Sequence, residues 1–207
     1  LVVGIMVDGL REDYVELLKD YFGEGGFNRL LKEGVVLENV DYGPRNDNAL
    51  ATAMIYTGTT ASVNGVSAAT AYDREKKSSY SIFLDPSKIG NYTNETYSPS
   101  SLLVSTLSDE IRIDGGGIGY VYSIAPNHTQ AIIMAGHAAN SAFWIDDVSG
   151  KWATTTYYKD VPTTIQTRNY RQPLSRKLDT LSWTPSMPLD RYPDLPGYKR
   201  HYPFTHR

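Results

Sequence analysis

The first forty residues alternate between two patterns, and that alternation restricts the fold more than any other feature. Leu1 to Val7 is short, β-branched and apolar without alternation, the pattern of a parallel strand covered on both faces. Glu12 to Phe22 sets Tyr14, Leu17, Leu18, Tyr21 and Phe22 along one helical face, and Gly23, Gly25 and Gly26 stop it. Phe27 to Lys32 reads as a second short helix closed by Gly34, and Val35 to Val40 as a returning strand. Strand, helix and strand in this order predict a βαβ unit. Asp8 stands at the carboxyl end of the first strand, where open α/β sheets hold metals or substrates. An aspartate there also suits the N-cap of the helix that follows.

Further along, NDNALATAMIYTG predicts a helix beginning at or near Asn48 and ending by Gly58. Residues 73 to 100 are polar, with DREKKSSY and NYTNETYSPSS, and read as an exposed excursion holding one hairpin. Ser101 to Ile113 reads as a helix stopped at Gly115 to Gly117. Gly119 to Ala125 and Gln130 to Met134 read as short strands flanking the loop PNHT. AFWI at Ala142 to Ile145, a DDVSGK turn and Trp152 to Tyr158 read as a hairpin. Residues 161 to 207 hold most of the prolines and read as an irregular Pro/Tyr-rich segment, which leaves 1 to 160 as the α/β domain.

Composition removes several functions. A formal charge of -3 gives no basic footprint for nucleic acid. Absence of cysteine excludes disulfide frameworks, thiolate nucleophiles and cysteine-ligated zinc. No apolar run approaches a membrane span. A chain that opens on Leu1 directly before a strand is expected to be trimmed from a longer one. The 16 tyrosines against 5 phenylalanines suit ligand-facing surfaces, and equally a tyrosine-rich loop surface.

Three blocks together carry a family resemblance: VDGLREDY, GGFNRLLKEGVVLENVDY and IYTGTTASVNGV. SPSSLLVSTLSDEIR, AIIMAGHAANSAFWIDDVSGKW and TTTYY continue it, so the likeness spans roughly Leu1 to Tyr158. The chain resembles the alkaline phosphatase superfamily, in its type I phosphodiesterase and nucleotide pyrophosphatase-like branch with the threonine-type bacterial alkaline phosphatases. The resemblance implies an α/β fold with a mixed, mostly parallel sheet sandwiched by helices, here its N-terminal part. It implies hydrolysis of phosphate esters at two zinc ions, one activating a hydroxyl nucleophile and the other stabilising the leaving oxygen. It implies a phosphate-containing small molecule or anion as the partner, and a periplasmic or secreted location.

Carried onto this chain residue by residue, the resemblance places a zinc ligand at Asp8. The nucleophile's position, at the start of the helix running into YTG, holds Asn48, whose amide cannot be phosphorylated as an alkoxide can. Asn48 serves there as an N-cap, with Asp47 the neighbouring carboxylate that a register slip would bring into play. The phosphoryl-holding asparagine is replaced by Ala69, and the Lys-x-Arg pair by Asn127 and Thr129. His128 between them reads as an exposed loop histidine, and His137 in AGHAA as a packed or hydrogen-bonded residue. The family's later Asp-x-x-x-His, Asp-His dipeptide and further histidine are missing, and His201 and His206 read as a solvated tail. Zinc is therefore expected of the family and not of this chain alone. The expectation is a catalytically degenerate or incomplete domain. Its alternative is an N-terminal fragment of an active metal-dependent phosphoesterase whose other ligands lie beyond residue 207.

Overall fold

The computed structural model describes residues 1–43, 47–174, 181–188, 190 and 204–206. Seven helices are described: α1 (Glu12–Leu17), α2 (Phe27–Glu33), α3 (Asn48–Thr57), α4 (Ala61–Asn64), α5 (Leu107–Asp114), α6 (His128–Ala135) and α7 (Thr163–Arg171). Eight strands are described with them: β1 (Thr70–Asp73), β2 (Ser78–Ser81), β3 (Gly90–Asn91), β4 (Tyr122–Ile124), β5 (Ser141–Ile145), β6 (Trp152–Thr155), β7 (Leu181–Trp183) and β8 (Phe204–His206). The fold is α/β around a mixed four-stranded sheet in the order β3-β6-β5-β4. β4 and β5 run parallel, with Tyr122 opposite Ser141, while β6 is antiparallel to both its neighbours. The β1-β2 hairpin and the antiparallel pair β7-β8 stand outside this sheet.

The βαβ unit is β4-α6-β5, and not the first forty residues. No strand forms over Val2 to Val7 or over Val35 to Val40, and Val3, Ile5, Val35 and Leu37 are exposed. An apolar run becomes a strand only where a neighbour takes its backbone hydrogen bonds, and neither run has such a ladder here. The other correction has the opposite sense: Gln130 to Met134, expected as a strand, lies inside helix α6. α6 buries Ala131, Ile132, Ile133 and Ala135 between α3 and the sheet, so it is apolar all round and lacks an amphipathic period.

The core gathers on that helix. Trp144 and Phe143 of β5, Ala53 of α3, Val66 and Phe83 are buried with it. Phe83 belongs to the segment expected as an exposed excursion, so the excursion is anchored in the core, although its β1-β2 hairpin is exposed as expected. The helix at Asn48 and the hairpin β5-β6 stand where the sequence puts them. In the C-terminal segment, expected to be irregular, α7 is a regular helix. Its buried Asn169 accepts from the Trp152 amide and donates to the Trp152 carbonyl, both at 2.8 Å, as a neighbouring strand would. His206 ends β8, and the reading of His201 falls outside the described residues.

Candidate functional site

The carboxyl end of β4 leads directly into α6, and the turn between them is held by a capping pair. Asn127 accepts from the Gln130 amide at 3.0 Å, and its own Nδ2 donates to Gln130 Oε1 at 2.8 Å. That reciprocal bond fixes the Gln130 side chain with its Nε2 free to donate elsewhere. It donates to both oxygens of Asp8, at 2.9 and 2.8 Å. Asn127, Gln130 and Asp8 therefore form one chain of amide hydrogen bonds across 122 residues of sequence. Gln130 is the member that sequence reasoning missed, although an Asn-x-x-Gln spacing is a capping signature visible before any fold is known. Thr129 lies buried in the same first turn of α6.

Asp8 does not cap the helix after it: the N-cap of α1 is Arg11, which makes no side-chain cap bond. Nor is Asn48 the cap of its helix. Asp47 holds that position, its carboxylate accepting from the Ala49 amide at 2.8 Å, and Asn48 is the first helical residue with an exposed side chain. Asp47 is thereby committed to the backbone. The Asn48 side chain makes no hydrogen bond to Asp8, Asn127 or Thr129 among the described residues. Ala69 is partly buried against the core, and its carbonyl accepts from the Ile82 amide at 3.2 Å. The structure thus joins Asp8 to the start of α6 and leaves Ala69 outside that hydrogen-bonded group.

Two histidines complete the picture. His128 is the first residue of α6 and is no exposed loop residue. Its ring stacks on Tyr97 at 3.8 Å, meets Trp144 edge-on and shares a 2.9 Å hydrogen bond with Ser81 Oγ. Burial depresses its pKa to about 4, against a weak opposing pull from Asp147, so the ring is neutral near pH 7. His137 is hydrogen-bonded, as its motif suggested: Nδ1 meets Asp109 Oδ2 at 3.2 Å and Nε2 meets the Leu102 carbonyl at 2.9 Å. The Asp109 hydrogen bond raises its pKa.

A family model described as type I phosphodiesterase / nucleotide pyrophosphatase matches residues 2–199. The chain belongs to that family. Alkaline phosphatase PhoV of Synechococcus elongatus is 32% identical over 99% of this chain and 38% of its own length. Alkaline phosphatase PafA of Elizabethkingia meningoseptica is 32% identical over 93% of this chain and 36% of its own length. A Myroides odoratus protein named calcium-transporting ATPase is 34% identical over 93% and 36%. The crystal structure of wild-type PafA superposes with a TM-score of 0.80 at 28% identity, covering 89% of this chain and 36% of the other. The chain therefore spans little more than a third of the length of these relatives.

Within the type I phosphodiesterase family the chain is a domain of the alkaline phosphatase superfamily, with the α/β fold of PafA. The zinc pair implied by the family can be tested against the donors present. Asp8 turns both oxygens to a neutral amide already fixed by Asn127, and the position that the resemblance assigns to the nucleophile holds an amide, Asn48. Among the described residues no three His, Cys, Asp or Glu side chains converge as metal ligands. The donor set described here does not fit two zinc ions.

Proposed function

We propose that this chain is a phosphodiesterase-family domain that keeps the scaffold of a phosphate-ester hydrolase without the means to hydrolyse one. The observation that carries the reading is the Asn127-Gln130-Asp8 chain, which spends the one carboxylate at the ligand position on a side-chain amide. Substituted nucleophile and phosphoryl-binding positions, at Asn48, Ala69, Asn127 and Thr129, support it. Nucleophilic catalysis needs a group that can become an oxyanion or thiolate, and a two-metal mechanism needs both ions in place. Asn48→Thr alone therefore restores no turnover. The test is metal analysis of the purified chain, with assay of aryl phosphate mono- and diesters in added zinc. Near-stoichiometric zinc together with turnover abolished by Asp8→Ala overturns the reading.

A second reading has its own observation. The apolar runs at 2–7 and 35–40 are exposed and unladdered, as expected of a domain completed by further chain that would also bring metal ligands from beyond residue 207. That arrangement makes the domain part of an active phosphomonoesterase or phosphodiesterase, but it leaves Asn48, Ala69, Asn127 and Thr129 unexplained. Phosphoesterase assay of the natural full-length product, its mass determined first, separates the two. A periplasmic or secreted location rests on family resemblance, and no described helix is long and apolar enough to cross a membrane. The division into a 1–160 domain and a 161–207 segment belongs to the same proposal. Limited proteolysis cutting after residue 171, beyond α7, supports a docked start to that segment.

A further inference from the structure

At the carboxyl end of α6, away from the Asp8 chain at its start, lies an open cavity of about 540 Å³. Lys88, Arg112 and Lys159 line it, against a single carboxylate, Asp160. Asp160 accepts the Tyr122 hydroxyl, and none of the three cations enters a salt bridge among the described residues. Lys88 lies over the Tyr157 ring, 6.0 Å from its centroid, with Asp85 feeling its charge only at longer range. Three cations that line one concavity, none in a salt bridge among the described residues, form a focused positive field.

The walls are fixed. Asn140 Oδ1 accepts from Arg112 and, at 2.9 Å, from the Val121 amide, so one guanidinium nitrogen is pinned while the other two make no hydrogen bond among the described residues. Buried Asp109 holds the adjoining backbone by accepting from the His137 and Ala138 amides at 2.8 and 2.7 Å. Both ring nitrogens of His137 are occupied, so it shapes the wall and donates nothing into the cavity.

We propose that this cavity binds the dianionic phosphate group of a small molecule, with Arg112 supplying directional donors and Lys88 and Lys159 supplying charge. Three cations against one carboxylate leave two positive charges, which match a phosphate dianion. An arginine with free donors favours a planar or tetrahedral oxyanion over chloride. The Tyr157 face beside Lys88 offers an apolar wall for an ester substituent. The cavity volume lies in the range of small-molecule sites.

The test titrates the 207-residue chain with inorganic phosphate and with phenylphosphonate at constant ionic strength, following backbone amide shifts. Saturable shifts at Ala138, Ala139, Asn140 and Arg112 are expected. Tighter binding of the phosphonate identifies an ester as the ligand, and equal or weaker binding identifies the free ion. Arg112→Gln should weaken binding about tenfold. Lys159→Gln, at an exposed side chain with no hydrogen bond or salt bridge among the described residues, should weaken it about threefold with the fold intact. Lys19→Gln, outside the cavity, should leave it unchanged. Shifts confined to residues 48–51, shifts that do not saturate, or equal losses in Lys19→Gln and Lys159→Gln overturn the proposal. None of these outcomes depends on whether the chain turns over a phosphate ester.

Discussion

Asp109 is buried, yet its two oxygens accept five hydrogen bonds: the Thr106 amide and hydroxyl, the His137 and Ala138 amides, and His137 Nδ1. Burial alone would raise its pKa, but the bonds from His137, Ala138 and Thr106 overcome that and hold it at about 2. Its folded pKa lies below the ordinary 3.8, so the stability it supplies is complete above that value and is lost as pH falls towards 2. Asp109→Asn turns an NH2 group towards donors and should cost about 3 kcal/mol in denaturant unfolding. It should also lower the His137 pKa, which Asp109 raises, as read by ring-proton titration. Gly136 sits against the same carboxylate with φ of 69°, and an added Cβ would collide with Asp109 and Thr106, so Gly136→Ala should unfold this corner. His128 titrates with the same sense at milder pH. Its folded pKa, about 4, lies below the ordinary 6.5, so the unfolded chain takes up the proton first and stability falls as pH drops from 6.5 to about 4. Allowing for partial solvent access, the loss is on the order of 1–2 kcal/mol. His128→Phe should flatten the stability curve across that window.

Among the elements, those legible in the sequence carried their own local punctuation. α3 begins one residue after Asp47 and ends at Gly58 with φ of 66°, so a capping carboxylate and a left-handed stop bracket it. The β5-β6 hairpin declared itself by two apolar runs around DDVSGK. α6 differs from the strand its sequence predicts because a short apolar run has no period to distinguish helix from buried strand, and its Asn127-Gln130 cap is the local mark of a helix. α5 starts later than the expected Ser101 because the Thr106–Asp109 capping box fixes its first turn. The candidate site was legible in the same uneven way. Asp8 and Asn127 stood out by position, but the residue that connects them is Gln130, whose role appears only once α6 folds beside the 1–8 segment. Asn127→Ala should cost about 1 kcal/mol as a lost cap. It should also release Gln130, so its side-chain amide resonances should lose exchange protection while those of the β5-β6 ladder keep theirs. Retained protection of the Gln130 side chain in that variant would show that Asp8 alone positions it.

At the scale of the whole molecule, the fold divides into a packed part and an uncovered one. Residues 1–43 place none of their side chains in the core, whereas α3, α6, β5 and β6 supply most of it. Val2 and Val3 are each 68% exposed and Val35 88%, although their sequence reads as buried strands. A β-branched apolar run predicts a covered strand, but cover depends on neighbours that a local pattern does not contain. Among the described residues the side-chain hydrogen bonds from the opening segment to the packed part are those of Gln130 to Asp8. Apolar surface of this extent is uncommon on a stable monomer and drives association. The isolated chain should therefore bind 8-anilinonaphthalene-1-sulfonate while its near-ultraviolet dichroism, to which buried Trp144 contributes, stays native in form. It should also sediment with a mass that rises with concentration. Val3→Asp with Ile5→Asp should suppress both the dye signal and the association without lowering the melting temperature by more than a few degrees, since neither side chain is buried. A melt that collapses in this variant would place Val3 and Ile5 in the cooperative core and turn the opening segment back into the strand its sequence predicts.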